Sequence, residues 1–191
     1  LTTTASPQSG NGCVYGNGVV VDPRVLLGEI DGRKRAGVSV GNLRLSANAH
    51  LIMPYHVLLD QAGETKLGKN SIGTTRRGIG PCYRDKVGRV HGVRVGDLYH
   101  PDRFREHLDR IIAYKNRLLT AMLPDFEPLD AKSVADEYLG HAEALRPYVR
   151  DTTTWLHDAI KRGRRLLFEG AQGSLLDVDH GSYPYVTSSN S

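Results

Sequence analysis

The stretch CVYGNGVVV at residues 13–21, followed at once by Asp22 and Pro23, constrains the fold more than any other feature of the chain. A short apolar run of this kind reads as a buried strand, here with a glycine bend inside it. Asp22 and Pro23 read as the N-cap and first helical position of the segment VLLGEIDGRKRA, and Gly37 lies past its end. NLRLS then reads as a short alternating strand, and PYHVLLDQA has helical spacing. Residues 63–97 break the pattern: they are rich in Gly, Arg, Lys and Thr and read as a long loop, a kind that is usually functional or disordered. Beyond them, residues 101–123 set Phe104, Leu108, Ile111, Ile112, Leu118, Leu119 and Met122 largely on one helical stripe. Residues 131–147 and 151–162 read as two further helices, the second stopped by Gly163. RRLLFEG, at 164–170, is expected to be a short buried strand running into a glycine-rich end. This order predicts an α/β protein with a mainly parallel sheet and a helical insert lobe over about 101–162. Residues 1–12, small and polar without a period, are expected to be a disordered or boundary segment.

Three stretches carry possible chemistry. GETKLGKN at 63–70 nearly matches a phosphate loop, with Gly63, Gly68 and Lys69 in place but Asn70 where a magnesium-binding hydroxyl belongs. It follows a helix-like segment rather than a strand, so it reads as a lysine-rich surface turn. SIGTTRRGIGPCYRDKVGRVHGVRVGDL, at 71–98, is the stronger candidate. Its glycines permit sharp bends, Thr74 and Thr75 offer hydroxyls, and free amides in such a loop can form an anion-binding concavity. Arg76, Arg77, Arg84, Lys86, Arg89 and Arg94 surround it. The chain's excess of positive charge, +4 with a pI near 9.1, is modest, and its concentration here is what points to phosphate. The third stretch is terminal: Gln172 comes after the expected strand and offers an amide able to pair with a purine edge. Asp177, Asp179 and His180 are conceivable metal ligands, but no complete ligand set is evident and they read as turn caps. TSSNS holds either a phosphate or a turn.

IGTTRRGIGPCYRDKVGR and FEGAQGSLLDVDHGSYPYVTSSN resemble the two central signatures of the adenylosuccinate synthetase family, and GNGVVVDP and GVRVGDL agree in order and spacing. The resemblance covers about residues 13–191. It implies a ligase of purine nucleotide synthesis that joins inosine monophosphate to L-aspartate with GTP and Mg2+, on a P-loop-like fold that is incomplete here. By motif, Thr75 and Thr187 would hold the nucleotide phosphate and Gln172 would contact the hypoxanthine edge. Arg89 would reach a monophosphate in the partner subunit of a homodimer, and Arg77 is a candidate for the aspartate carboxylates. The family's WGDEGKGK-type loop, which bears the general base and the GTP phosphate cradle, has no counterpart in this sequence. Neither do the family's aspartate-binding loop and guanine-recognition segment. The resemblance therefore implies a central fragment whose magnesium ligands lie elsewhere and which does not catalyse the reaction alone.

With 39% hydrophobic residues and no apolar run able to span a bilayer, the expected molecule is globular and free of the membrane. Cys13 and Cys82, isolated thiols, suit a reducing compartment, and the cytoplasm is the expected location. A basic nucleic-acid-binding module centred on 66–94 is the competing class, although only Tyr83 is placed there for base stacking. A helical interaction module built on 101–162 is a further alternative.

Overall fold

A computed structural model describes residues 12–170 and 172–190, so the expected disorder of residues 1–12 lies, but for Gly12, outside the described residues. The apolar run at 13–21 forms two strands rather than one. β1 (Cys13–Tyr15) and β2 (Val20–Val21) are separated by the Gly16–Gly18 bend and enter different sheets. α1 (Pro23–Arg35) begins where expected. The Asp22 carboxylate accepts from the amides of Arg24 at 2.9 Å and Val25 at 3.4 Å, and Pro23 occupies the first turn. Arg33, Lys34 and Arg35 in the last turn complement the helix dipole.

β3 (Leu43–Ser46) pairs in parallel with β1, Cys13 opposite Leu43 and Tyr15 opposite Leu45. β5 (Val149–Arg150) pairs in parallel with the other edge of β3, giving the order β1-β3-β5. β4 (His50–Leu51) pairs in parallel with β2, Val21 opposite Leu51. Residues 93–95 run beside β4, with Leu51 N donating to Val93 O at 2.8 Å and Val95 N to Ala49 O at 2.9 Å. The parallel α/β class is thus observed, as two small sheets among the described residues.

α2 (Pro54–Leu67) leaves β4. α4 (Pro101–Met122) carries the predicted stripe, with Phe104, Leu108, Ile111, Ile112 and Leu119 buried. Each such side chain contributes about 1.5–3 kcal/mol on full burial. α5 (Ala131–Leu145) starts on Asp130, whose carboxylate accepts from Ser133 N at 2.7 Å, and α6 (Thr152–Lys161) starts on Asp151 in the same manner. α5 packs on α4 and α1, and α6 on β3. Within the stretch expected as a helical lobe, β5 therefore belongs to the sheet.

Two further expectations require correction. The polar stretch 63–97 is not a continuous loop: α2 runs on to Leu67, and α3 (Ile79–Gly88) forms a ten-residue helix inside it. Its inward face carries Cys82 and Asp85, so no apolar period advertises it. RRLLFEG is not a strand. Leu167 and Phe168 are 91% and 82% exposed and no strand among the described residues lies alongside; a strand is stable only in a ladder, which local sequence cannot supply.

Gly78 fixes the entry to α3. Its φ of +79° is left-handed, and a Cβ there would lie 2.8 Å from both His56 C and Val57 N of α2. Gly73 has φ +80° but open space around it. Gly78→Ala is expected to destabilise the chain by about 3 kcal/mol, combining backbone strain with overpacking, and Gly73→Ala by about 1 kcal/mol from strain alone. Urea unfolding of the two variants measures the difference.

Candidate functional site

Three polar residues of α2 at intervals of four, His56, Asp60 and Glu64, share one face and are all buried. Each binds a different part of residues 72–85. The Glu64 carboxylate accepts from the amides of Ile72, Gly73 and Thr74 at 3.2, 3.0 and 3.2 Å. Asp60 accepts from the Thr74 hydroxyl and from Gly78 N, both at 2.9 Å. His56 reaches α3 through Asp85. The IGTTRRG segment is thus drawn onto α2 through its backbone.

The expected concavity of free amides is therefore corrected. The amides of residues 72–74 have an anion already, and it is Glu64. Sequence reasoning missed this because the acceptor sits eight residues or more upstream on a helix. The signal that could have found it is the four-residue spacing of His56, Asp60 and Glu64.

Asp85 is the centre of a buried network. His56 Nδ1 accepts from Met53 N at 2.9 Å, which leaves Nε2 as the donor to Asp85 Oδ2 at 2.9 Å. Lys115 Nζ, from the middle of the α4 stripe, lies 2.8 Å from Asp85 Oδ1 and 2.7 Å from Oδ2. All three side chains are at least nine-tenths buried, and the Lys115 ammonium also lies 5.4 Å from the Tyr55 ring centroid. Burial alone would raise the Asp85 carboxyl, but the hydrogen bonds from His56 and Lys115 outweigh it and hold the group below its ordinary value. Burial pushes His56 down against the pull of Asp85, so its imidazole is neutral. Lys115 was legible as an oddity: it sits at a stripe position between Ile111 and Leu119.

α3 is also tied to the Gly16–Gly18 bend. Lys86 Nζ donates to Asn17 O at 2.8 Å and Gly18 O at 3.1 Å, and the Tyr83 hydroxyl donates to Gly18 O at 2.9 Å. Burial depresses the Lys86 ammonium below its ordinary value. The Cys82 thiol, donating to Leu51 O, is pushed up by burial to about 12 and is inert at neutral pH.

With the acids turned inward, the outer face of the segment is cationic. Thr75, Arg76, Arg77, Arg84 and Arg89 are exposed, and neither the Thr75 hydroxyl nor the Arg77 and Arg89 guanidinium groups are bonded to any described residue. Arg76 and Arg89, on either side of α3, hold left-handed φ values of +55° and +68°. Such a conformation costs a residue with a side chain about 1–2 kcal/mol.

The terminal segment folds on itself. Gln172 Nε2 donates to Asn190 O at 2.7 Å, the Thr187 hydroxyl donates to Leu176 O at 2.8 Å, and Val178 N donates to Ser189 O at 3.1 Å. Asp177 Oδ1 accepts from the amides of Asp179 and His180, and Asp179 accepts from the Asn190 side chain. Asp177 thus caps a turn and Asp179 holds the Asn190 side chain, and among the described residues no three His, Cys, Asp or Glu side chains gather as a metal site. The two signature stretches meet beside α3: a Cβ on Gly80 would lie 3.3 Å from Ser188 Oγ. Gln172 and Thr187 thus share one turn cluster, and that cluster touches the first turn of the helix that comes after Thr75. GETKLGKN lies mostly within the last turns of α2, the wrong context for a phosphate loop.

The Asp85 network makes stability depend on acid. His56 has a folded pKa below its ordinary 6.5, so between the two values the unfolded chain binds more protons, and stability falls as pH falls through that window. Asp85 adds stability above its ordinary 3.8 that is lost at still lower pH. The urea unfolding free energy should drop from about pH 7 to about pH 5. His56→Asn should flatten that slope without abolishing it, because burial also depresses His50, to about 4, and His91.

Known proteins resemble this chain in sequence and in fold. The family described as adenylosuccinate synthetase matches residues 3–191. Adenylosuccinate synthetase of Heliobacterium modesticaldum is 52% identical over 178 residues, which cover 93% of this chain and 41% of that protein. The Nostoc punctiforme protein of the same name is 53% identical over 178 residues, 93% of this chain and 39% of its own length. The structure of fully ligated adenylosuccinate synthetase from Plasmodium falciparum superimposes with a TM-score of 0.84 at 32% identity, covering 96% of this chain and 42% of that one. The chain therefore spans about two-fifths of the length of these relatives.

Proposed function

Since the chain belongs to the adenylosuccinate synthetase family, we propose that it forms the inosine monophosphate side of the active site of a GTP-dependent ligase acting in purine nucleotide synthesis. Thr75 and Thr187 bind the nucleotide phosphate, and Gln172 meets the hypoxanthine edge near the oxygen that receives the phosphoryl group from GTP. The amine of L-aspartate then displaces phosphate to give adenylosuccinate. Arg77 serves the aspartate carboxylates, and Arg89 reaches the monophosphate held by the partner subunit of a homodimer. The observation that carries this reading is the meeting of the two signature stretches at Gly80 and Ser188, with the acids of α2 turned inward and Thr75 left exposed.

The physical part of the work is positioning and charge neutralisation. An unpaired guanidinium offers a planar fork of donors to a phosphate or carboxylate, and a threonine hydroxyl both donates and accepts. Gln172 presents an amide that can exchange its bond to Asn190 O for one to a purine. The reading assigns the magnesium ligands, the GTP phosphate cradle and the general base to sequence outside this chain, because the family's WGDEGKGK-type loop has no counterpart in it. No helix among the described residues is long and apolar enough to cross a membrane, and the proposed location is the cytoplasm. The nucleic-acid-binding alternative is not favoured once the family is known.

Purified chain incubated with inosine monophosphate, L-aspartate, GTP and magnesium should yield no adenylosuccinate; product formation overturns the assignment of base and GTP cradle to other sequence. The chain should nonetheless bind inosine monophosphate, and Thr75→Ala should weaken that binding about tenfold, the worth of one hydrogen bond to a charged group. Calorimetric titration measures it.

A further inference from the structure

We propose that Asp60 and Glu64 are positioning residues of the candidate monophosphate site. They set the aim of Thr75 by holding the backbone just before and just after residues 75–77. The inference rests on the monophosphate reading and concerns residues to which that reading gives no part.

Glu64 takes three consecutive amides, those of residues 72–74, on one buried carboxylate. Asp60, one turn earlier on α2, takes Gly78 N with Oδ2 and the Thr74 hydroxyl with Oδ1. That hydroxyl is in turn reached by Arg76 N at 3.3 Å, which goes with the left-handed turn at Arg76. Residues 75–77 are therefore a short exposed arch with both feet fastened to the same helix face. Gly78 abuts the backbone of His56 and Val57, so the arch cannot settle closer to α2.

A buried carboxylate needs donors, and amides gathered in a loop need an acceptor; here each satisfies the other. The consequence for a ligand is specific. An incoming phosphate finds the amides of 72–74 occupied, so it is received by the Thr75 hydroxyl, whose direction depends on the arch. Gln in place of Glu64 keeps the shape but leaves one acceptor oxygen where two served Ile72 on one side and Gly73 and Thr74 on the other. It also sets an NH2 group against the remaining backbone donors, which loosens the first foot.

Four forms of the chain test this: wild type, Glu64→Gln, Thr75→Ala and the double variant. Each is titrated with inosine monophosphate and followed by amide hydrogen exchange and urea unfolding. Glu64→Gln should speed exchange at Ile72, Gly73 and Thr74 and weaken inosine monophosphate binding, each by about tenfold. In the Thr75→Ala background it should weaken binding no further, a coupling that a merely structural role would not produce. If Thr75→Ala leaves binding unchanged, or the wild-type chain does not bind, the monophosphate reading fails and takes this inference with it. If Thr75→Ala weakens binding while Glu64→Gln does not, or weakens it additively, the inference alone is overturned. Should Glu64→Gln fail to fold, Asp60→Asn, which loosens the second foot, carries the same comparison with exchange read at Gly78.

Discussion

Burial of three polar side chains on one face of α2 is the constraint on which the rest of the site depends. A carboxylate removed from water without partners is costly, and α2 buries two of them together with an imidazole. The next segment in sequence supplies what they lack: backbone amides for Glu64 and Asp60, and a carboxylate for His56. The helix and the segment are thus each incomplete alone. Their mutual satisfaction explains how a stretch with few apolar side chains acquires a defined path.

The Asp85 network extends this logic to a third element. Lys115 enters from α4, His56 from α2 and Asp85 from α3, and the three meet with two hydrogen-bond donors on one carboxylate. Buried ion pairs are weak sources of stability in general, because desolvation offsets their attraction. What such a network does supply is registry, since a shift of one helix by a turn would leave a buried charge without its partner. The apolar stripe of α4 tolerates sliding in a way that the Lys115–Asp85 contact does not.

Much of the helical framework was legible in the sequence. Asp22 caps α1 as expected, and the α4 stripe is buried as its period requires; the caps Asp130 and Asp151 were not singled out. α3 was hidden because helix periodicity is read from apolar residues, and its buried face consists of a thiol and an acid. The reading of 164–170 as a strand failed for the opposite reason: Leu166, Leu167 and Phe168 have strand-like composition, but pairing is a property of neighbours. In the site, the location of the basic loop could be read from its glycines and arginines. The destination of its amides could not, because hydrogen-bond acceptors on a preceding helix leave only a faint trace in spacing. Gln172 and Thr187 were identified by motif, and their bonds to Asn190 and Leu176 depend on a turn that composition does not reveal.

Asn17 joins more elements than its place in a glycine bend suggests. Its side chain accepts from the Ser46 hydroxyl of β3 and the Thr152 hydroxyl of α6 and donates to Thr153, while its carbonyl oxygen receives Lys86 of α3. One residue thereby clamps, through its side chain and its carbonyl oxygen, the end of the three-stranded sheet to α3. With such a clamp, a swing of α3 away from the sheet costs it the bonds of Lys86 and Tyr83 to Asn17 and Gly18 of the bend. The need to break those bonds makes the helix a latch that opens by local melting rather than a door that turns.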